Sequence, residues 1–133
     1  MIRTVIIATL VASSLLSQDL YRTSGSLNGR KWETMDGLQQ SIYVSGIFDG
    51  ITIAALKSKE PLNLAEAFTV GDYRKELTHF YSSRENINIP ISYAFNYCTL
   101  KFLGKMSEEA QQDELKALRL AFNEMFLESQ RPK

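Results

Sequence analysis

Apolar residues recur at intervals of three and four along most of this 133-residue chain, which is the spacing of one face of an α-helix. Four such segments are separated by polar or proline-containing connections, and they predict helices near residues 35–58, 70–82, 90–104 and 107–131. No segment alternates apolar and polar residues as a half-buried strand does. The pattern therefore predicts an all-α fold, in the form of a compact four-helix domain.

Residues at the ends of these segments support the helix assignments. Thr34, Thr69 and Ser107 are predicted N-caps, and Asp72 completes a capping box with Thr69. Gly104 is a natural C-terminal stop. The first helix is expected to bury Leu38, Ile42, Tyr43, Ile47, Ile51 and Ala54, and the last helix is expected to bury Leu115, Leu118, Phe122, Met125 and Phe126.

The N-terminus has the pattern of a secretory signal peptide over residues 1–18. Arg3 is the only charge there, and residues 5–16 are almost wholly apolar or small. This run is shorter than the roughly 20 residues of a membrane-spanning helix, so we expect a periplasmic or secreted protein with no stable membrane anchor after cleavage. The alternative is a buried N-terminal helix of a cytosolic domain. Residues 19–31 are predicted to be a flexible segment, and residues 32–131 a single helical domain.

Composition and motifs narrow the classes of function. Basic and acidic residues both number 15, which argues against a nucleic-acid partner. The single cysteine, Cys98, excludes an intrachain disulfide and is predicted to be a buried thiol. The only histidine, His79, is predicted to lie on the surface. The sequence has no zinc-ligand spacing, calcium loop or phosphate-binding glycine loop, so it predicts no metal, no cofactor and no enzymatic activity.

Two glycines interrupt the first predicted helix. Each mid-helix glycine costs about 1 kcal/mol relative to alanine, and the close approach of another helix would explain Gly46 and Gly50. Asp49 borders this stripe. It is either a hydrogen-bonded structural carboxylate or a binding group, and we retain it as a candidate binding residue.

The polar connection over residues 82–88 is a second candidate site. Helices that flank a short polar loop hold its side chains in place for recognition, so Arg84, Glu85 and Asn86 are candidate contacts with a partner protein. The alternative is an ordinary solvated connection in which Asn88 caps the helix that Pro90 begins.

Several short motifs resemble one family. These are Trp32, the stretch Tyr43-Val-Ser-Gly46-Ile-Phe-Asp49-Gly50, the stretch Thr69-Val-Gly-Asp-Tyr, and Phe80-Tyr81 through Ile89-Pro90-Ile91-Ser92-Tyr93-Ala94. Over residues 32–103 they resemble the Tai-like class of small exported bacterial proteins, which are immunity proteins against type VI secretion amidases. The resemblance implies a helical protein that inhibits a secreted cell-wall amidase. It carries no family binding residue over to this chain. The alternative function is an envelope binding or structural accessory protein without a toxin partner.

Overall fold

The computed structural model describes residues 20–58 and 68–131. The predicted signal peptide over residues 1–18 lies outside them. The elements in chain order are β1 (Arg22–Thr23), β2 (Ser26–Leu27), α1 (Gly29–Thr34), α2 (Gly37–Ser58), α3 (Val70–Ser82), a 3-10 turn (Arg84–Asn86), α4 (Ile91–Phe102) and α5 (Glu108–Ser129). The prediction of an all-α domain is confirmed, and the four long described helices, α2 to α5, correspond to the four predicted ones.

Local capping signals correctly located two helix starts. Before α3, the hydroxyl oxygen of Thr69 accepts from the backbone N–H of Asp72 (3.2 Å), and the Asp72 carboxylate accepts from the backbone N–H of Thr69 (2.8 Å). Before α5, the Ser107 hydroxyl accepts from the N–H of Ala110 (3.2 Å). Gly104 follows the last residues of α4 in the left-handed region, with φ 61°, as a residue that ends a helix should.

The predicted cap of α2 is corrected. Thr34 is the last residue of α1, and its hydroxyl donates back to the carbonyl of Lys31 (2.8 Å). The cap is Asp36, whose carboxylate accepts from the N–H of Gln39 (2.8 Å) while the Gln39 side chain accepts from the N–H of Asp36 (3.0 Å). This reciprocal pair satisfies two donors at the start of α2.

The predicted flexible segment over residues 19–31 is also corrected, because it contains an antiparallel hairpin and the start of α1. Ser24 and Gly25 both have positive φ (49° and 78°), which suits the tight turn between β1 and β2. The buried Asn28 side chain donates to the carbonyl of Leu20 (3.0 Å) and accepts from the N–H of Arg30 (3.1 Å). The polar composition that predicted a flexible segment is explained by the residues of the hairpin turn and by the N-cap Asn28.

The core lies between α2, α3 and α4, with α1 and α5 packed at its edges. Trp32 of α1 is buried, and its indole N–H donates to the Thr78 hydroxyl of α3 (3.2 Å). Tyr73 stacks on Phe95 with ring centroids 4.2 Å apart, and its hydroxyl bonds to that of Thr99 (2.8 Å). The buried cluster consists of Trp32, Val44, Tyr73, Leu77, Phe80, Tyr81, Ile89, Ile91, Ala94, Phe95, Cys98 and Phe122.

Two predicted apolar stripes differ from the buried surface. In α2, Val44 and Ala55 are buried, whereas Leu38 and Ile42 are exposed. In α5, Phe122 and Phe126 are buried, but Met125 is exposed. Because α2 carries apolar residues around most of its circumference, spacing alone did not identify the face that packs on the core. No helix among the described residues is long and apolar enough to cross a membrane.

Candidate functional site

The polar connection between α3 and α4 is anchored to the core. After the 3-10 turn, Ile87 and Ile89 are buried, and the N–H of Ile89 donates to the carbonyl of Asn86 (3.0 Å). The Tyr81 hydroxyl donates to the carbonyl of Ile89 (2.9 Å). These buried contacts fix the backbone on which the predicted recognition residues sit.

Asn86 holds the turn together from inside and does not project into solvent. Its side-chain amide donates to the carbonyl of Phe80 near the end of α3 (2.6 Å), and its oxygen accepts from the Nε of Arg119 (2.8 Å). The residue is buried. The prediction that Asn86 is a direct contact with a partner therefore does not fit its position, because its polar atoms are already bonded within the fold.

Arg84 and Glu85 are exposed, with 79% and 69% of their side-chain surfaces open to solvent. The Arg84 guanidinium lies 3.0 Å from the Glu33 carboxylate, and Glu85 lies 2.6 Å from the guanidinium of Arg119. Ion pairs at such exposed positions contribute about 0–1 kcal/mol. They are therefore weak enough to exchange for a partner's charges.

Asn88 does not cap α4, contrary to one predicted alternative. Its side-chain oxygen accepts from the Arg30 guanidinium, and its amide donates to the side-chain oxygen of Asn123 (2.8 Å). Pro90 occupies the cap position of α4 without a side-chain hydrogen bond. Asn88 thus links α1 and α5 across the end of the connection.

A groove lies beside the turn, between α3, α4 and α5. Its lining residues are Glu76, His79, Phe80, Ser82, Ser83, Asn86, Tyr97, Lys101 and Leu115. Lys101 donates to Glu76 (2.5 Å), and this hydrogen bond is the main cause that raises the pKa of Lys101. Burial raises the pKa of Tyr97, partly opposed by Lys101 and Arg119. The groove therefore combines polar groups with aromatic surface next to the exposed Arg84 and Glu85.

The arrangement of Cys98 and His79 does not suit nucleophilic catalysis. Cys98 is buried, and burial is the main cause that raises the pKa of its thiol to about 12. Because the thiolate is the nucleophile, this thiol is inert near neutral pH. His79 is exposed on the last turn of α3, as predicted. Among residues 20–58 and 68–131, no group of three His, Cys, Asp or Glu side chains is placed to hold a metal ion.

Gly46 and Gly50 of α2 do not contact another described helix, which corrects the predicted close approach. A Cβ atom placed at Gly46 or Gly50 would meet no described atom within 4 Å. Asp49 is exposed beside them and needs no partner within the fold. The structure therefore places Asp49 on the outer face of α2, on a different element from the turn.

Comparison with family models, curated proteins and solved structures finds no significant match for this chain.

The turn depends on residues that sequence reasoning did not single out. Three side chains from other helices contact the polar connection: Glu33 of α1, and Arg119 and Asn123 of α5. All three are more than 30 residues away in sequence from the residues that they contact. In the sequence, Arg119 and Asn123 look like ordinary polar positions of an amphipathic helix. No local signal distinguishes them, because their partners come from a different part of the sequence.

Proposed function

We propose that this chain is an exported bacterial interaction protein that binds a protein partner through the Arg84–Asn86 turn and the adjoining groove. The observation that carries the proposal is the combination of two exposed, oppositely charged side chains with a backbone fixed by the buried Asn86. A contact surface that is already ordered loses less entropy on binding. Arg84 and Glu85 supply charge and hydrogen-bonding groups, and the groove supplies a concave surface for a partner side chain.

We propose binding without catalysis as the activity. Cys98 is buried with an inert thiol, whereas His79 is exposed on the surface. This arrangement gives no support to a Cys-His mechanism. The groove instead offers Tyr97 and a Glu76–Lys101 pair as hydrogen-bonding groups. Such groups fit recognition of a polar surface on another protein.

We propose export to the periplasm or beyond on the basis of Arg3 and the apolar residues 5–16. The measurement is the mass of the protein recovered from the periplasm. We expect its N-terminus to lie between Ser14 and Ser26. An intact Met1 on a soluble cytosolic protein would instead favour a buried N-terminal helix.

The specific partner that we propose is a secreted cell-wall amidase, by resemblance of residues 32–103 to Tai-like immunity proteins. In this role the turn blocks the amidase cleft, with Arg84 and Glu85 exchanging their internal ion pairs for contacts in the enzyme. A cell-wall hydrolase gene next to the gene for this chain would support the choice of partner.

The test uses the protein recovered from the periplasm and a catalytically inactivated amidase from the same organism. Titration calorimetry compares the parent with the double variant Arg84→Ala/Glu85→Ala. The matched control is Glu128→Ala/Arg131→Ala, which removes the same two side-chain types from exposed positions at the end of α5. We expect the first variant to bind about ten-fold or more weakly, or about 1.4 kcal/mol, and the control to bind as the parent does.

Two results would contradict parts of this proposal. If all three proteins bind the amidase equally, the turn is not the contact. If none binds it and periplasmic extracts yield a different specific partner through Arg84 and Glu85, the amidase assignment is wrong and the accessory role is favoured. Thermal unfolding of each variant checks that lost binding is not lost folding.

A further inference from the structure

A second groove lies between α2 and α4, and its described lining shares no residue with the groove beside the turn. Its volume is about 440 Å³, within the roughly 300–1,000 Å³ of small-molecule sites, which also occur between the helices of bundles. Its apolar walls are formed by Ile47, Ile51, Phe95, Leu100 and Leu103. We call this cavity the α2–α4 groove.

The buried side of the α2–α4 groove is fixed by the aromatic core. Phe95 is only 3% exposed and stacks on Tyr73, with ring centroids 4.2 Å apart. Thr99 also lines the groove, but its hydroxyl is already bonded to the Tyr73 hydroxyl (2.8 Å) and to the carbonyl of Phe95 (2.9 Å). The groove is therefore formed before any ligand arrives, which lowers the entropic cost of binding.

One cation lies where the α2–α4 groove passes the C-terminal end of α4. Among the described residues that line the groove, Lys105 is the only charged one. Its backbone N–H donates to the carbonyl of Leu100 (3.0 Å), which fixes the start of its side chain at the groove. Lys105 is exposed, and the ion pairs of the described residues leave it without a carboxylate partner. A lysine in such a position lays its methylene stem along apolar surface and keeps its ammonium in water.

We propose that the α2–α4 groove binds an aliphatic carboxylate, a fatty acid of medium chain length. The hydrocarbon chain lies between α2 and α4, and the carboxylate pairs with Lys105. One positive charge beside apolar walls matches a ligand with one negative charge and an apolar chain.

The dimensions of the groove support a single chain as its occupant. Its lining residues extend along α4 from Ser92 to Leu103, a distance of about 16 Å at about 1.5 Å per residue. A partner helix is about 10–12 Å across with its side chains, which is too wide for a cavity of about 440 Å³. An extended hydrocarbon chain is narrower and follows the direction of α4.

The test is isothermal titration calorimetry of the purified full chain, freed of bound lipid, near neutral pH and below the micelle concentration of each probe. The probes are decanoate, decanol and decyltrimethylammonium, which share one chain length and differ in the charge of the head. Decanoate should bind at one saturable site, more tightly than decanol and more tightly still than the cation. Octanoate should bind about two- to four-fold more weakly for each methylene removed, because less apolar surface is buried.

Substitutions at Lys105 test the head of the ligand. Lys105→Gln should weaken decanoate binding about five-fold, the upper range for an exposed ion pair, and leave decanol binding unchanged. Lys105→Glu should reverse the preference, so that decyltrimethylammonium binds more tightly than decanoate. A destabilised fold does not predict such a reversal. The matched control is Lys116→Gln, at an exposed position of α5 outside the groove, which should bind all probes as the parent does.

A substitution in the wall tests the chain of the ligand. Leu103→Asp should weaken the binding of both decanoate and decanol about ten-fold or more, because the ligand desolvates the new charge. The control is Leu127→Asp, on α5, where the side chain is 64% exposed. Thermal unfolding of each variant checks that the fold is retained. Arg84→Ala/Glu85→Ala should bind decanoate as the parent does, so failure of this inference is separable from failure of the proposed function.

Four results would overturn the inference. The first is a parent that shows no saturable binding of decanoate, and the second is decanol binding as tight as that of decanoate. The third is equal decanoate binding by the parent, Lys105→Gln and Lys105→Glu. The fourth is decanoate binding that survives Leu103→Asp, which would place the ligand outside the α2–α4 groove.

Discussion

Arg119 of α5 donates from its Nε to the buried side-chain oxygen of Asn86, at a distance of 2.8 Å. The same guanidinium holds Glu85 at 2.6 Å. One side chain from the last helix thus fixes both a buried and an exposed residue of the turn. The stability of the turn and its proposed role in recognition therefore reside in different residues, which substitutions can separate.

Asn86→Ala should destabilise the protein by about 1–3 kcal/mol, because it leaves the Phe80 carbonyl and the Arg119 guanidinium without their buried partner. Urea unfolding of the parent and the variant measures this difference. The matched control is Asn96→Ala, at an exposed position of α4, which should change stability by less than about 0.5 kcal/mol. Equal stabilities for Asn86→Ala and the parent would show that the side chain does not support the turn.

Gly46→Ala and Gly50→Ala should each stabilise the protein by about 0.5–1 kcal/mol. Both glycines lie within α2, and an added Cβ meets no described atom within 4 Å. Urea unfolding of each variant and the parent measures the gain. The control is Gly104→Ala, which should lower the stability instead. At Gly104 φ is 61°, and a residue with a Cβ atom is strained in that region. A loss of stability at Gly46 or Gly50 would reveal a neighbour that the described residues do not include.

Gly29→Ala should destabilise the protein by about 1–3 kcal/mol or more, because a Cβ there would overlap the buried ring of Tyr81. The measurement is thermal unfolding followed by near-ultraviolet circular dichroism, which reports the packing of Trp32. Gly25 is exposed and has no described atom within 4 Å of an added Cβ, but its φ is positive. Gly25→Asn, which tolerates that backbone, is therefore the control and should cost little.

The Cys98 thiol should resist modification in the folded protein at pH 8 and react fully after unfolding in urea. Its pKa is raised from 9.0 to about 12, so almost no thiolate forms in the fold. In alkaline solution the unfolded chain loses the thiol proton first. The stability that this group contributes is therefore fully present below about pH 9 and falls as the pH rises towards 12.

The control for this prediction is Cys98→Ala. It should be less stable than the parent because of the cavity it leaves, and its stability should fall less steeply between pH 9 and 12. Rapid labelling of native Cys98 at pH 8, at the rate of the unfolded chain, would contradict the buried assignment.

The parts of the fold that sequence predicted correctly depend on neighbours in the chain. Thr69 and Asp72 are three residues apart, and their capping box follows from local backbone geometry. The helix α3 buries Tyr73, Leu77 and Phe80 while its other face is polar, so the spacing of its apolar residues is sufficient to identify its buried face. Spacing predicts contacts reliably when both partners lie within one turn of the same helix.

The parts that sequence missed depend on packing between distant segments. Arg84, Glu85 and Asn86 look alike in a polar loop, yet Arg119 and the end of α3 make Asn86 a buried structural residue. The two apolar faces of α2 likewise differ only in what packs against them. Candidate binding residues could thus be narrowed to a loop from the sequence, but tertiary contacts decided which of its side chains remain exposed.

The hairpin and α1 both contact α5, and these contacts determine when the domain can finish folding. The Ser24 hydroxyl lies 3.2 Å from the sulfur of Met125, and the Arg30 guanidinium lies 4.4 Å from the ring centre of Phe126. Contacts that join residues so far apart in sequence close a long loop, which costs more conformational entropy than a local contact does. A chain synthesised from its N-terminus therefore cannot complete this domain until α5 has left the ribosome, so the hairpin and α1 wait for their partners on the last helix.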